Sequence, residues 1–225
     1  ASLDKYVQDD LLAMAASVVL DGQDIVDFHL AGHQDREAER LIQADSIYRI
    51  YSSTKLITSC AAMMLWEEGQ FQLDDPLRDY LPELGSLSVV KDGANDVGLV
   101  EPVAVEPTIR QLMCHNAGFS YGLFAESVVD PIYNAAGVSA PTATLEDMVR
   151  KLGDIPLAYQ PGRRWQYSVS VDVLGRLIEI LSGLRFGEFL SQRIFEPLGM
   201  LDTGFHVPTE KHDRFCANYA PVNML

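Results

Sequence analysis

A serine and a lysine three residues apart can meet on one face of a helix. That pairing can activate an otherwise weak alcohol as a nucleophile. The chain carries the spacing three times: Ser2 with Lys5, Ser52 with Lys55, and Ser88 with Lys91. Context separates them, since Ser2 lies at a chain end and Ser88 precedes Asp92-Gly93-Ala94-Asn95-Asp96, which reads as a loop. Ser52 instead follows the strand-like run Ile47-Tyr48-Arg49-Ile50-Tyr51 and opens a segment with Leu56, Ile57, Cys60, Ala61, Met63, Met64, Leu65 and Trp66, closed by Gly69. Apolar on most of its circumference, that segment predicts a helix buried at the centre of the protein. A lysine at the start of such a helix is partly desolvated, which favours its neutral amine. Read locally, the same residues also fit a serine N-cap followed by a lysine that snorkels to the surface.

The elements that must hold this pair are ordinary for a globular protein. With 225 residues, 48% of them hydrophobic, the chain can bury a sizeable core. Its formal net charge of -15, with no basic run to offset it, argues against nucleic acid and anionic lipid as partners. Cys60, Cys114 and Cys216 lack metal-ligand spacing and are expected to be reduced core thiols. No apolar run reaches membrane-spanning length and no signal peptide is visible, so the expected location is cytoplasmic, or periplasmic or secreted if an export signal was removed. Neither a metal nor a cofactor is expected.

Along the chain, residues 3–14 have helical spacing, and Ala16 to Leu20 and Asp24 to Leu30 read as a hairpin around Asp21-Gly22. A third strand is expected over Ser46 to Tyr51. His29 and His33 read as surface strand and turn residues. After the central helix come a short helix over Leu77 to Leu84 interrupted by Pro82, an exposed excursion from Gly85 to Pro107, and a helix capped by Thr108. His115 reads as a buried histidine bonded to backbone. The aromatic stretch from Phe119 to Tyr133 suits a pocket wall or more core. Further helices are expected from Thr144 to Gly153, from near Ser168 to Gly183, and from Phe186 to Phe195. The fold class is therefore α+β: an antiparallel sheet and the nucleophile helix within residues 1–70, then a mostly helical region over 71–205, all in a single domain. Three strands make a marginal sheet with an open edge, so more strands are expected beyond residue 225.

These residues together resemble the serine β-lactamase and penicillin-binding-protein superfamily, in its class-C-like esterase branch. The resemblance rests on Ile50-Tyr51-Ser52-Ser53-Thr54-Lys55, on Glu67-Glu68-Gly69 with Leu73-Asp74-Asp75-Pro76, and on Leu112-Met113-Cys114-His115-Asn116-Ala117-Gly118. It continues through Tyr167-Ser168-Val169, Glu196-Pro197-Leu198-Gly199-Met200 and Asp202-Thr203-Gly204-Phe205. Each motif is short, but their order along the chain is specific. The resemblance implies acyl transfer, with Ser52 forming an acyl-enzyme while Lys55 and Tyr167 share the proton work. Which of the two is the base stays open. Read alone, Tyr167 is a partly buried aromatic.

The resemblance further implies that the Ser52 backbone N–H supplies half of an oxyanion hole. The other half is expected from a group outside this chain, because the family's Gly-containing third motif has no counterpart here. Val169 stands where β-lactamases of this branch typically place an asparagine that binds the substrate's amide side chain, which moves the expectation from β-lactams to esters. Phe119, Tyr121, Phe124, Trp165 and Val169 are the candidate pocket residues for a small-molecule ester. The alternatives are a β-lactamase or D-alanyl-D-alanine peptidase, an acyltransferase to an alcohol, and a non-catalytic ligand-binding relative.

Overall fold

The structure is a computed structural model that describes residues 2–123 and 127–220. It comprises two compact units, one formed by residues 1–51 with 201–225 and the other by residues 52–200. It mixes helices with small antiparallel sheets, as the α+β expectation had it.

In the first unit, helix α1 (Ser2–Gln8) is shorter than its apolar spacing predicts. Asp10 takes a left-handed φ of +60°, and the Leu11 and Leu12 N–H groups both fold back onto the Tyr6 carbonyl. The chain then enters strand β1 (Met14–Asp21), which pairs antiparallel with β2 (Asp24–Asp35) through the expected turn, with a bulge at Val19/Leu20. The third strand is not where β propensity placed it. Strand β3 is the two-residue Arg40–Leu41, paired with the end of β2, whereas the 46–51 segment makes one isolated bridge, from Ile47 to Phe215. Propensity without a partner in register is insufficient to make a strand. The segment after residue 201 is tied to this sheet by Gln34 Nε2, which donates to the Asp213 carbonyl at 2.7 Å, and to the 46–51 segment by the Arg49 guanidinium, which lies 4.0 Å from the Phe215 ring centre.

The second unit has a packed interior. A 3₁₀ turn, Tyr51–Ser53, leads into helix α2 (Thr54–Glu67), which ends before Gly69 at φ +75°. This helix is less buried than its composition predicts: Thr58, Ala61, Ala62 and Leu65 face the core, while Leu56 is 73% exposed. Two of the cysteines depart from the expectation of core thiols, Cys60 on α2 and Cys114 at the end of the following α-helix being exposed and Cys216 buried. The excursion expected over residues 85–107 contains a hairpin of β4 (Ser88–Val90) and β5 (Val100–Pro102), and Val89 and Val90 are buried.

Helices α3 (Ile109–Met113) and α5 (Leu145–Gly153) open on capping boxes built by Thr108 with Gln111 and by Thr144 with Asp147; α4 (Asp130–Ala136) lies between them. Helix α6 (Ser170–Ser182) is the hub, ending on left-handed Gly183. It packs against α2, α3, α5 and α7 (Phe186–Leu190), the last continuing as a π-helical turn, Ser191–Phe195. Gly175 permits that crowding, because a Cβ there would come 3.2 Å from Leu145 Cδ1 and 3.6 Å from the Phe186 ring.

Candidate active site

Three segments bring the reactive groups together. The turn Tyr51–Ser53 with the first turn of α2 carries Ser52 and Lys55, the irregular chain leading into α6 carries Tyr167, and the residue after the α3 C-cap is His115. Because α2 and α3 both pack on α6, burial of apolar side chains sets the geometry of the polar ones.

Ser52 Oγ lies 2.7 Å from the Tyr167 hydroxyl, and Lys55 Nζ donates to Ser52 Oγ at 3.3 Å. The N-cap alternative does not describe this arrangement. Ser53, not Ser52, occupies the cap position and makes no side-chain cap bond, and half-buried Lys55 turns towards the phenol, its Nζ 4.7 Å from the Tyr167 ring centre. Of the other two Ser-x-x-Lys matches, Ser2 lies in α1, whose Lys5 pairs with Asp9, and Ser88 lies in β4.

Electrostatics favour an ionisable phenol. Burial pushes Tyr167 upward, but the hydrogen bonds from Lys55 and Ser52 and the Lys55 charge outweigh it and hold the phenol below the ordinary tyrosine range. Asp172, on the first turn of α6, moves the other way: burial lifts its carboxyl above the usual range against the pull of Lys55. Tyr121 is raised by burial, partly offset by Lys55, and its ring lies 5.3 Å from that of Tyr167. The loop bearing Tyr121 is tied down by the buried Asp130 carboxylate, which accepts from the Ser120 hydroxyl and from the Gly122 and Ser127 N–H groups.

The remaining pocket candidates separate by burial. Trp165 is 66% exposed and stands 6.5 Å from the Tyr167 ring, so it and Tyr121 flank the phenol. Phe119 and Val169 are each 1% exposed and belong to the core; neither walls an open pocket. Val169 bonds its N–H to the Ser120 carbonyl. Phe124 lies outside the described residues. Among the described residues no group of three or more His, Cys, Asp or Glu side chains is placed to hold a metal ion, and no helix is long and apolar enough to cross a membrane.

Sequence reasoning left two participants out of the site. His115 was expected to bond backbone, and it does, but its ring also stacks on Tyr167 with centroids 4.9 Å apart. Asp172 carried no local signal beyond its place five residues after Tyr167.

Residues 3–223 match the Beta-lactamase family. The chain belongs to that family. Its members that resemble this chain include esterases. Esterase EstB of Burkholderia gladioli is 32% identical over 221 residues, covering 97% of this chain and 53% of the esterase. Lovastatin esterase of Penicillium rubens is 33% identical over 170 residues, covering 75% of this chain and 42% of its own length. Among solved structures, EstCE1, a hydrolase with promiscuous acyltransferase activity, superposes with a TM-score of 0.81 at 24% identity, over 96% of this chain and 54% of the other. The chain thus spans about half the length of the relatives it matches.

Proposed function

We propose that the chain carries the acylating machinery of a serine carboxylesterase. The observation behind this reading is the 2.7 Å approach of Ser52 Oγ to a Tyr167 hydroxyl held below its ordinary range, with Lys55 Nζ donating to the same Oγ at 3.3 Å. Tyr167 is the better base of the two, since its anion is what its surroundings stabilise.

In the first half-reaction the Ser52 proton passes to the Tyr167 oxygen while Oγ bonds to the ester carbonyl carbon. The developing oxyanion meets the Ser52 N–H, which sits at a helix start where backbone donors lack intrahelical partners. The carbon–oxygen bond to the leaving alcohol then breaks, and Tyr167 returns the proton to that alcohol. Water repeats the sequence: it gives a proton to Tyr167, attacks the acyl carbon and releases the acid, and Ser52 Oγ recovers its hydrogen.

Esters are favoured over β-lactams by one substitution: where the resemblance places an amide donor two residues after Tyr167 stands Val169, a buried aliphatic side chain that cannot make that hydrogen bond. The esterase relatives support the same choice.

The test compares p-nitrophenyl butyrate with nitrocefin, and adduct formation with a fluorophosphonate by intact mass, in the wild type and in Ser52→Ala. Ester turnover and the adduct should both vanish in Ser52→Ala while the melting temperature stays put, because an exposed hydroxyl contributes little packing. Undiminished ester turnover in that variant would sink the assignment, and nitrocefin turnover matching that of the ester would replace it with a β-lactamase.

A further inference from the structure

Tyr167 sits in a stretch, residues 164–168, that belongs to no helix or strand. Its position therefore depends on bonds from elsewhere, and one residue supplies several of them. The His115 carbonyl accepts the Gln166 N–H at 2.9 Å, and its Nδ1 accepts the Ser168 N–H at 3.2 Å. Between these two bonds the imidazole lies stacked on the Tyr167 ring at an interplanar angle of 25°. Three consecutive residues, centred on the phenol, are thus held by a single histidine.

His115 is itself set for this task. It follows the C-cap of α3 with a left-handed φ of +55°, a conformation that costs a non-glycine residue free energy. Gly118, three residues on, holds φ +97° where a Cβ would come 2.5 Å from the Tyr159 carbonyl oxygen, so the turn after His115 is closely packed.

We propose that His115 is the positioning residue for Tyr167, clamping the backbone on both sides of the phenol and backing its ring so that the hydroxyl meets Ser52 and Lys55. This rests on the esterase reading for its effect on rate, but not for its effect on the phenol.

The bonds assign the tautomer. Nδ1 accepts the Ser168 N–H and lies 3.1 Å from Ser168 Oγ, which in turn is 2.7 Å from Ser170 Oγ, so the imidazole proton belongs on Nε2. Protonation would aim an N–H at a backbone N–H and open the clamp. The groups facing His115 are Lys55 from α2, Tyr167 on the stacked face, Trp165 at its edge and the Tyr159 hydroxyl at its carbonyl. Burial, and then the Lys55 charge, hold His115 below the ordinary histidine range. The clamp is therefore closed at neutral pH and is lost as pH falls through that lowered value.

The experiment uses the full chain with His115→Ala and His115→Asn, each beside the wild type. Asparagine accepts the left-handed backbone and offers Oδ1 near the place of Nδ1, but it does not titrate. The first readout is the ionisation of Tyr167, taken as the ultraviolet titration difference from Tyr167→Phe. In His115→Ala the phenol should return towards a pKa of about 10, and in His115→Asn it should lie between that and the wild-type value. The second is ester hydrolysis: His115→Ala should lose roughly 10- to 100-fold in kcat, the cost of misplacing a reacting group by about 1 Å, with KM changed less than about threefold. His115→Asn should recover most of that loss and lack the acid limb that His115 gives the wild type.

An unchanged Tyr167 titration in His115→Ala would overturn the proposal, and so would equal losses in both variants that follow only the unfolded fraction in a thermal melt. A wild type that neither turns over ester nor takes an adduct at Ser52 would defeat the esterase reading alone, because the Tyr167 titration still decides the clamp.

Discussion

The two units of the chain are held together by different means. The largest fully buried side chains, among them Phe119, Phe189, Leu112, Leu174 and Leu177, all fall between residues 52 and 200, the unit that also carries Ser52, Lys55, His115 and Tyr167. The other unit buries little beyond Ala15, Ile42, Ile47 and Cys216 and relies on polar stitching, such as the Ala217 N–H on the Gln34 carbonyl and Arg214 on Asp202. Its hairpin leaves the neighbouring residues Val18 and Val19 both exposed, and successive strand residues point to opposite faces, so both faces are open. A reactive geometry with sub-ångström tolerance is thus built where close packing fixes the backbone, and not on the sheet.

The strongest way to break this contrast is within the site. Lys55→Ala should lower kcat/KM by roughly 1,000-fold or more, as groups that act as a unit do. It removes a hydrogen bond and a charge that hold the Tyr167 phenol low. In the wild type kcat/KM should rise as pH climbs through that lowered value, because the anion is the base, so the rising limb lies at lower pH than an ordinary tyrosine would give. In Lys55→Ala the rising limb should move to higher pH. A pH–rate profile checks both, and a loss under about tenfold with an unmoved limb would make Lys55 a structural residue.

Next comes the packing beneath the site. Leu177→Ala, at a buried position of α6, should cost about 2–5 kcal/mol by denaturant melting. A cost near zero would mean that α6 is not the hub on which α2 and α3 depend.

What was legible in the sequence follows the same divide. Helix starts were readable at Thr108 and Thr144, and a helix stop at Gly183, because a cap is a contact between residues a few positions apart. The Ser52–Lys55 pair was readable for that reason too, whereas Tyr167, 115 residues away, entered through family resemblance. His115 touches Ser168 across 53 residues, and no local pattern announces such a contact; the signal that would have exposed it was the Leu112-to-Gly118 motif considered jointly with Tyr167-Ser168. Phe119 and Trp165 look alike as apolar aromatics in sequence, yet one is core and the other surface, since burial is a property of the tertiary neighbourhood. The 46–51 segment failed as a strand because pairing requires a partner in register, and its neighbour in space is the distant Phe215.

The smallest expected effect tests the open side of the contrast. Ile25, paired with Leu20 across the hairpin, is 65% exposed. Replacing it by threonine keeps a β-branched side chain suited to the strand while removing apolar surface that already faces water, so neither the ladder nor a core contact is lost. Ile25→Thr should change stability by less than about 0.5 kcal/mol and leave the rate of fluorophosphonate labelling at Ser52 unaltered. Denaturant melting and intact-mass kinetics check the two halves separately. A cost above about 1 kcal/mol, of the kind that follows loss of buried apolar area, would mean that this face is packed in solution. The sheet would then share the energetic character of the helical unit, and the contrast between the two would fail at its weaker end.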